Sequence, residues 1–162
     1  MKAASLAGGG AIERRRLAFA ALSATNEAIL RSSNAGEMLQ KVTEAAVDGG
    51  GFLGAAIFRK EDGSARLQME ARAGAFVALI AKMPSTDPAV PHGQGLGGIA
   101  FRSNKPCISN NVTSDTRIRP WWDLAKAAGV KTCAALPICV GGAPVGVSFL
   151  EINTVNLSLI HI

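Results

Sequence analysis

Residues 66–73 alternate without a break: Leu67, Met69, Ala71 and Ala73 are apolar, and Arg66, Gln68, Glu70 and Arg72 between them are polar or charged. Successive side chains of a strand point to opposite faces, so this run has one face in a core and one in water. Strands of a parallel sheet, covered by helices on both sides, are apolar throughout. The alternation therefore argues for an antiparallel sheet covered on one side only. The run is the return arm of a hairpin, with 53–60 as the first strand, Asp62-Gly63 as the turn and 65–73 as the second strand. A second hairpin follows much later. Thr132, Ala134, Leu136, Ile138 and Val140 share one face of 131–140, "VGGAP" turns the chain, and 144–151 returns.

Helical periods occupy other stretches. In 11–33, Ile12, Phe19, Asn26 and Ser33 fall seven apart, with Leu22 and Ile29 as a second stripe. Such spacing suits either a partner helix or the domain's own sheet. Asn34 is placed to cap a second helix, with Glu37 at the capping-box position. Met38, Leu39, Val42, Ala45 and Ala46 give that helix one apolar face, and Gly49–Gly51 ends it. Residues 74–91 hold a short helical candidate and then a proline-rich loop. Ile99–Ser103 reads as a helical turn, "CISN" as a short strand, and 117–128 as a helix with Pro120 in its first turn. The fold class is α+β: an antiparallel sheet with helices packed on one face and an irregular segment, 74–129, on the other.

The 162 residues suffice for one domain with its own core. No apolar run approaches the ~20 residues of a membrane span, and "MKAASLAGGGAIERRR" lacks the apolar stretch of a secretory signal. Residues 1–11 read as a flexible lead-in and 12–151 as the domain. The net charge of +5 is spread out, and its one basic triplet, Arg14–Arg16, has no interleaved aromatics. That pattern excludes a nucleic-acid footprint and suits the wet face of a helix. Three cysteines without a C-x-x-C, and two histidines, suggest neither a disulfide framework nor a metal cluster. A reducing cytoplasm is the expected compartment.

Gly93, Gly95 and Gly98 fit G-x-G-x-x-G, the pattern of a dinucleotide turn. That turn must follow a buried parallel strand and open a long helix. Here Pro84, Pro88 and Pro91 exclude the strand, and Asn104-Lys105-Pro106 ends the helix early. The glycines are expected to serve close backbone packing instead.

"GQGLGGIAFRSNKPCISNNVTSDTR" followed by "AALPICVGGAPVGVSFLE" resembles the GAF domain. The glycine segment leading into a short helix, the "NKP" turn, the short strand with its Asn/Asp-rich loop, and the Leu136-Pro137-Ile138 and Gly146-Val147 positions carry the likeness over about 12–151. The resemblance implies a six-stranded antiparallel, PAS-like sheet and a small-molecule pocket beneath the irregular segment. It also implies a regulatory, non-catalytic role upstream of an output domain, and homodimerisation through helix 12–33. Candidate pocket residues are Phe76, Ile99, Asn110, Asn111, Asp115, Trp121 and Trp122. Asn and Asp also serve as turn and cap residues, so Asp115 is equally placed to cap the 117–128 helix. The cofactor is left unknown. The cyclic-nucleotide signature of the family is missing, no cysteine is followed by the histidine common at bilin sites, and only His92 is placed to ligate haem.

A family subgroup reduces free methionine sulfoxide with cysteines. It carries one in the glycine segment, where this chain has Leu96 and Gly97, and another in a stretch matching 108–132, which here has none. A GAF domain that only dimerises, without a ligand, is the other alternative. After the second hairpin the family continues into a helix, whereas "INTVNLSLIHI" shows no clear period, so 152–162 is expected to be an aberrant or truncated tail.

Overall fold

The computed structural model describes residues 16, 19–20, 22–27, 29–75 and 84–154. Phe76, the lead-in and most of the tail lie outside the described residues. The described positions within 16–31 are helical. After them come helix α1 (Ala35–Asp48), strands β1 (Gly54–Lys60) and β2 (Leu67–Gly74), helix α2 (Leu96–Ser103), strand β3 (Cys107–Ser109), helix α3 (Trp122–Ala127), and strands β4 (Thr132–Val140) and β5 (Ala143–Ile152). The described strands form one antiparallel sheet in the order β2-β1-β5-β4-β3. The order is that of the two hairpins laid side by side, with β1 joined to β5.

α1 starts where its sequence puts the cap. The Asn34 Oδ1 accepts the Glu37 N–H at 2.9 Å, and the Glu37 carboxylate accepts both the N–H and the hydroxyl of Ser33. α1 packs on β1 and β2. α2 packs on β4, β5 and β3, against the face that carries Phe149. The single-sided covering predicted from 65–73 therefore holds only for β2, which lies at the edge. Gly54–Phe58 of β1 are all buried, so the centre of the sheet is covered on both faces. β2 also departs from strict alternation. Ile57 pairs with Ala71 but Phe58 with Met69, so Glu70 is an extra residue in a bulge, and its carboxylate meets Arg59 Nε at 2.8 Å.

Pro137 sits inside β4, opposite Val147, with a register shift one residue further on. β3 pairs only with Cys133–Ala135, so among the described residues Pro137 has a strand neighbour on one side alone, which is where a sheet tolerates proline. The expected 117–128 helix is split. Thr116–Trp121 is a 3₁₀ segment containing Pro120, and the α-helical part begins only at Trp122.

The glycine segment joins no parallel strand to a long helix. A 3₁₀ turn at Pro91–Gly93 leads into α2, which starts at Leu96 rather than Ile99 and lasts eight residues. A Cβ on Gly95 would come within 2.7 Å of the Trp121 ring, and one on Gly97 within 2.5 Å of the Phe149 ring. Gly98 lies against the carbonyls of Gly93 and Ser85. Contact with rings and carbonyls explains why so poor a helix former opens this helix. From the last turn, Arg102 Nη1 donates to the carbonyls of Thr86 (2.9 Å) and Gly93 (2.7 Å).

Candidate functional site

The face of the sheet beneath α2 and the 3₁₀ segment carries an apolar core cluster, including Phe58, Leu96, Val112, Ile118, Trp121 and Phe149. Phe58 and Phe149 meet edge to face with centroids 5.4 Å apart. Three polar or sulfur-bearing residues stand abreast on that face. Ser109 of β3 pairs with Cys133 of β4, and Cys133 pairs with Glu151 of β5. By alternation along β5, Glu151 shares the face of Val147 and Phe149.

Glu151 is 1% exposed, and neither carboxyl oxygen is hydrogen-bonded by any described residue. Burial pushes its pKa up to about 8, so the acid is protonated at neutral pH. The same burial, with lesser contributions from Glu151 and Cys107, pushes the Cys133 thiol well up. The Ser109 hydroxyl, 2% exposed, has no partner in hydrogen-bonding geometry, although it is near enough to Asp115 to help hold that carboxyl low.

At the β3 edge, Arg117 gathers several groups. Its Nε and Nη2 grip the Asp115 carboxylate, with Nη2 at 2.5 Å, and Nη2 also donates to the Ile108 carbonyl at 2.9 Å. Nη1 lies 3.3 Å from Cys107 Sγ. The guanidinium holds Asp115 below the usual carboxylate range, and Asp115 raises Arg117 in return. Cys107 is raised by its burial, against the pull of Arg117. All three cysteines are free thiols; Cys107 and Cys133 are buried and Cys139 is exposed.

The residues named from sequence fall into two groups. Ile99, Trp121 and Trp122 pack in or against the core cluster beneath the irregular segment. Trp121 is buried, 5.6 Å from the His92 ring, and the Trp122 indole N–H donates to the Asp115 carbonyl at 3.0 Å. Asp115 does cap the 3₁₀ segment, accepting the Arg117 N–H. Asn110 and Asn111 are exposed. The Asn111 side chain accepts the Thr113 hydroxyl, and the Asn110 carbonyl accepts that of Thr132. Glu151 and Ser109 are not among the residues that the sequence singles out, and Cys133 stands out there only as a thiol. The signal for Glu151 was present: an acid at i+2 from Phe149 and i+4 from Val147, in the inward register of a strand. A shallow cleft of about 220 Å³ lined by Glu61, Arg66, Leu67 and Gln68 lies at the opposite end of β1 from Glu151. Among the described residues, no cluster of three His, Cys, Asp or Glu side chains is arranged to hold a metal ion. No helix among them is long and apolar enough to cross a membrane.

The model of the GAF domain family matches residues 32–156. No curated protein sequence is similar to the chain. Among solved structures, the nlh2 GAF domain of A. aeolicus in an inactive state superposes with a TM-score of 0.68 at 19% identity, over 87% of this chain and 84% of that one. The GAF domain of a phosphoenolpyruvate-protein phosphotransferase from Coxiella burnetii gives 0.66 at 14% identity, over 87% and 80%. The free methionine-R-sulfoxide reductase of Neisseria meningitidis in complex with its substrate gives 0.66 at 12% identity, over 90% and 78%. The sheet order, the glycine-led helix on Phe149 and a family match over most of the chain agree, and the chain belongs to the GAF domain family.

Proposed function

We propose that the chain is a regulatory sensory module. It binds a small molecule between the Phe149 face of the sheet and the segment 84–129, and passes occupancy to an output domain outside this sequence. One observation carries the reading. A buried carboxyl with two unengaged oxygens lies on the face where the fold would hold a ligand, and a structural acid in a finished core would be bonded within the protein. Ile99, Trp121 and Trp122 supply apolar wall; Asn110, Asn111, Asp115 and Phe76 complete the proposed lining. The proposed compartment is the cytoplasm, in keeping with three free thiols. Dimerisation through helix 12–33 would bring two output domains together, and ligand would shift the balance between two arrangements of that pair.

The test is mass spectrometry and absorption of protein purified from its native host, with thermal shift across a metabolite panel. A co-purifying molecule, or a panel compound that raises Tm, is the expected result. Clean apo protein unmoved by every compound favours a domain that only dimerises.

Likeness to sulfoxide reductases motivates a second reading, as an enzyme. Two features weigh against it. Cys107 and Cys133 are buried with raised pKa values, and thiolate chemistry requires the reverse. The chain also lacks the cysteines in the glycine segment and in 108–132 that the subgroup would use. Turnover of free methionine sulfoxide is expected to be absent; turnover lost in Cys107→Ser or Cys133→Ser would establish the enzyme instead.

A further inference from the structure

The buried acid says something about the chemistry of the ligand, given the small-molecule reading above on which this inference rests. We propose that Glu151, as a neutral carboxylic acid, anchors a ligand edge carrying one hydrogen-bond donor beside one acceptor: a carboxamide or a lactam.

The geometry comes first. On its own face Glu151 is flanked by Cys133 across one strand boundary and by Gly54 across the other. Gly54 has no side chain, so β1 itself brings no competing group to that flank. The Phe149 ring lies two residues back on the same face, beneath Gly97 of α2 and edge to face with Phe58, and closes the apolar end of the row. Ser109, whose hydroxyl lies close to the Asp115 carboxylate, stands two strands from Glu151, roughly 10 Å away. It suits a polar substituent at the far end of the same molecule.

Charge decides the ligand class. Among the described residues, the strand groups in the row of Glu151 are the Cys133 thiol on β4 and, beyond it on β3, the Ser109 hydroxyl; Cys107, beside the Arg117–Asp115 pair, lies two residues further along β3. β1 brings only Gly54 to this row. The one charged side chain of α2, Arg102, is bound to the carbonyls of Thr86 and Gly93. Burial alone holds the proton on Glu151. A protonated carboxyl offers one O–H donor and one carbonyl acceptor side by side. An amide edge satisfies both with two parallel hydrogen bonds and no buried charge. A cationic ligand would have to displace the proton and be desolvated itself, a penalty that an ion pair in a dry site often fails to recover. A polar site of this kind discriminates strongly, because an analogue lacking the matching group leaves the acid unpaired.

The experiment uses fragments of defined chemistry on ¹⁵N-labelled full chain: 2-pyrrolidone as lactam, acetamide as carboxamide, methylguanidinium as cation. Amide shifts of Leu53, Cys133 and Glu151 report binding at pH 6.5 and 9. Two variants accompany the wild type. Glu151→Gln keeps one donor and one acceptor; Glu151→Leu keeps neither. The proposal expects saturable shifts with 2-pyrrolidone or acetamide, retained within about threefold in Glu151→Gln and lost at least tenfold in Glu151→Leu. Wild-type affinity falls about tenfold from pH 6.5 to 9 as the acid ionises, and the Gln variant stays flat. Methylguanidinium binding that strengthens with pH and vanishes in Glu151→Gln would overturn the proposal. So would unchanged lactam or amide binding in Glu151→Leu, or no saturable shift with any fragment. If the Leu variant is unfolded by circular dichroism, the Gln variant and the pH dependence alone decide. A thermal-shift panel on the variants separates the two readings. A metabolite that stabilises wild type and Glu151→Leu alike sinks the anchor but leaves the sensory module standing. No stabilising compound for any form sinks both.

Discussion

Glu151 holds a proton in the folded chain that it would not hold at neutral pH when unfolded, and that ties stability to pH. Its folded pKa is about 8 and its ordinary value is 4.5. A group raised by folding contributes stability that is fully present below its unfolded pKa and is lost as pH rises through the folded one. The window is therefore pH 4.5 to 8, where the slope approaches about 1.4 kcal/mol per pH unit. Asp115 runs the other way. Arg117 lowers it, so its contribution is present above the usual 3.8 and lost as pH falls below, outside that window. Urea midpoints at pH 5, 6.5 and 8 should fall steadily for the wild type and stay nearly level for Glu151→Gln; parallel profiles would mean that the acid does not ionise as described. The sequence carried this residue in plain view, at i+2 from Phe149. Acids also close many strands at solvent-exposed ends, and only the pairing with Cys133 on one side and Gly54 on the other shows that this end is buried. The chemistry was missed because register across strands is a tertiary fact, while alternation within one strand is a local one.

Elements show a second device, at the edges of the sheet. From α1, the Gln40 side chain donates to the Arg72 carbonyl at 2.9 Å and accepts the Arg72 N–H at 3.4 Å, as a neighbouring strand would. On the other edge, Arg117 occupies the Ile108 carbonyl. Side chains thus blunt edges that would otherwise template strand addition. Replacing Gln40→Ala should cost about 1 kcal/mol, since both bonds are partly exposed, and should speed hydrogen exchange at the Arg72 amide by several-fold. Unchanged exchange there would show that the bonds contribute nothing. Both hairpins and α1 were legible, because Asp62-Gly63, "VGGAP" and Asn34 with Glu37 are local signals that the tertiary structure leaves intact. α2 was legible only in its second half. Propensity argues against a helix through Gly97 and Gly98, and the rings and carbonyls they rest on come from distant parts of the chain. Pro120 was read as the first turn of a long helix; its ring instead sits in a 3₁₀ segment that precedes the α-helical part.

At the scale of the whole molecule, the described residues of the first helical stretch leave an apolar stripe open. Phe19, Leu22, Ile29 and Leu30 are 74%, 58%, 52% and 85% exposed. Phe19, Leu22 and Ile29, with Asn26 between them, hold the seven-residue register of a paired helix, in which an Asn sets alignment at some cost in stability. The proposed homodimer would close this stripe. Sedimentation is expected to give a dimer for the wild type and at least a tenfold weaker one for Phe19→Glu; a wild type that stays monomeric at 100 µM or so, well above the range of stable dimers, would end the idea. Within the chain, the Arg102 guanidinium closes a loop of a different kind. It springs from the far turn of α2 and fastens on two carbonyls upstream of that helix, so the stretch from Thr86 to Arg102 is a ring shut by hydrogen bonds. A ring of this sort travels as one lever: a nudge to Phe149 under the bare backbone of Gly97 would reach the outer surface at the proline loop without unfastening anything in between.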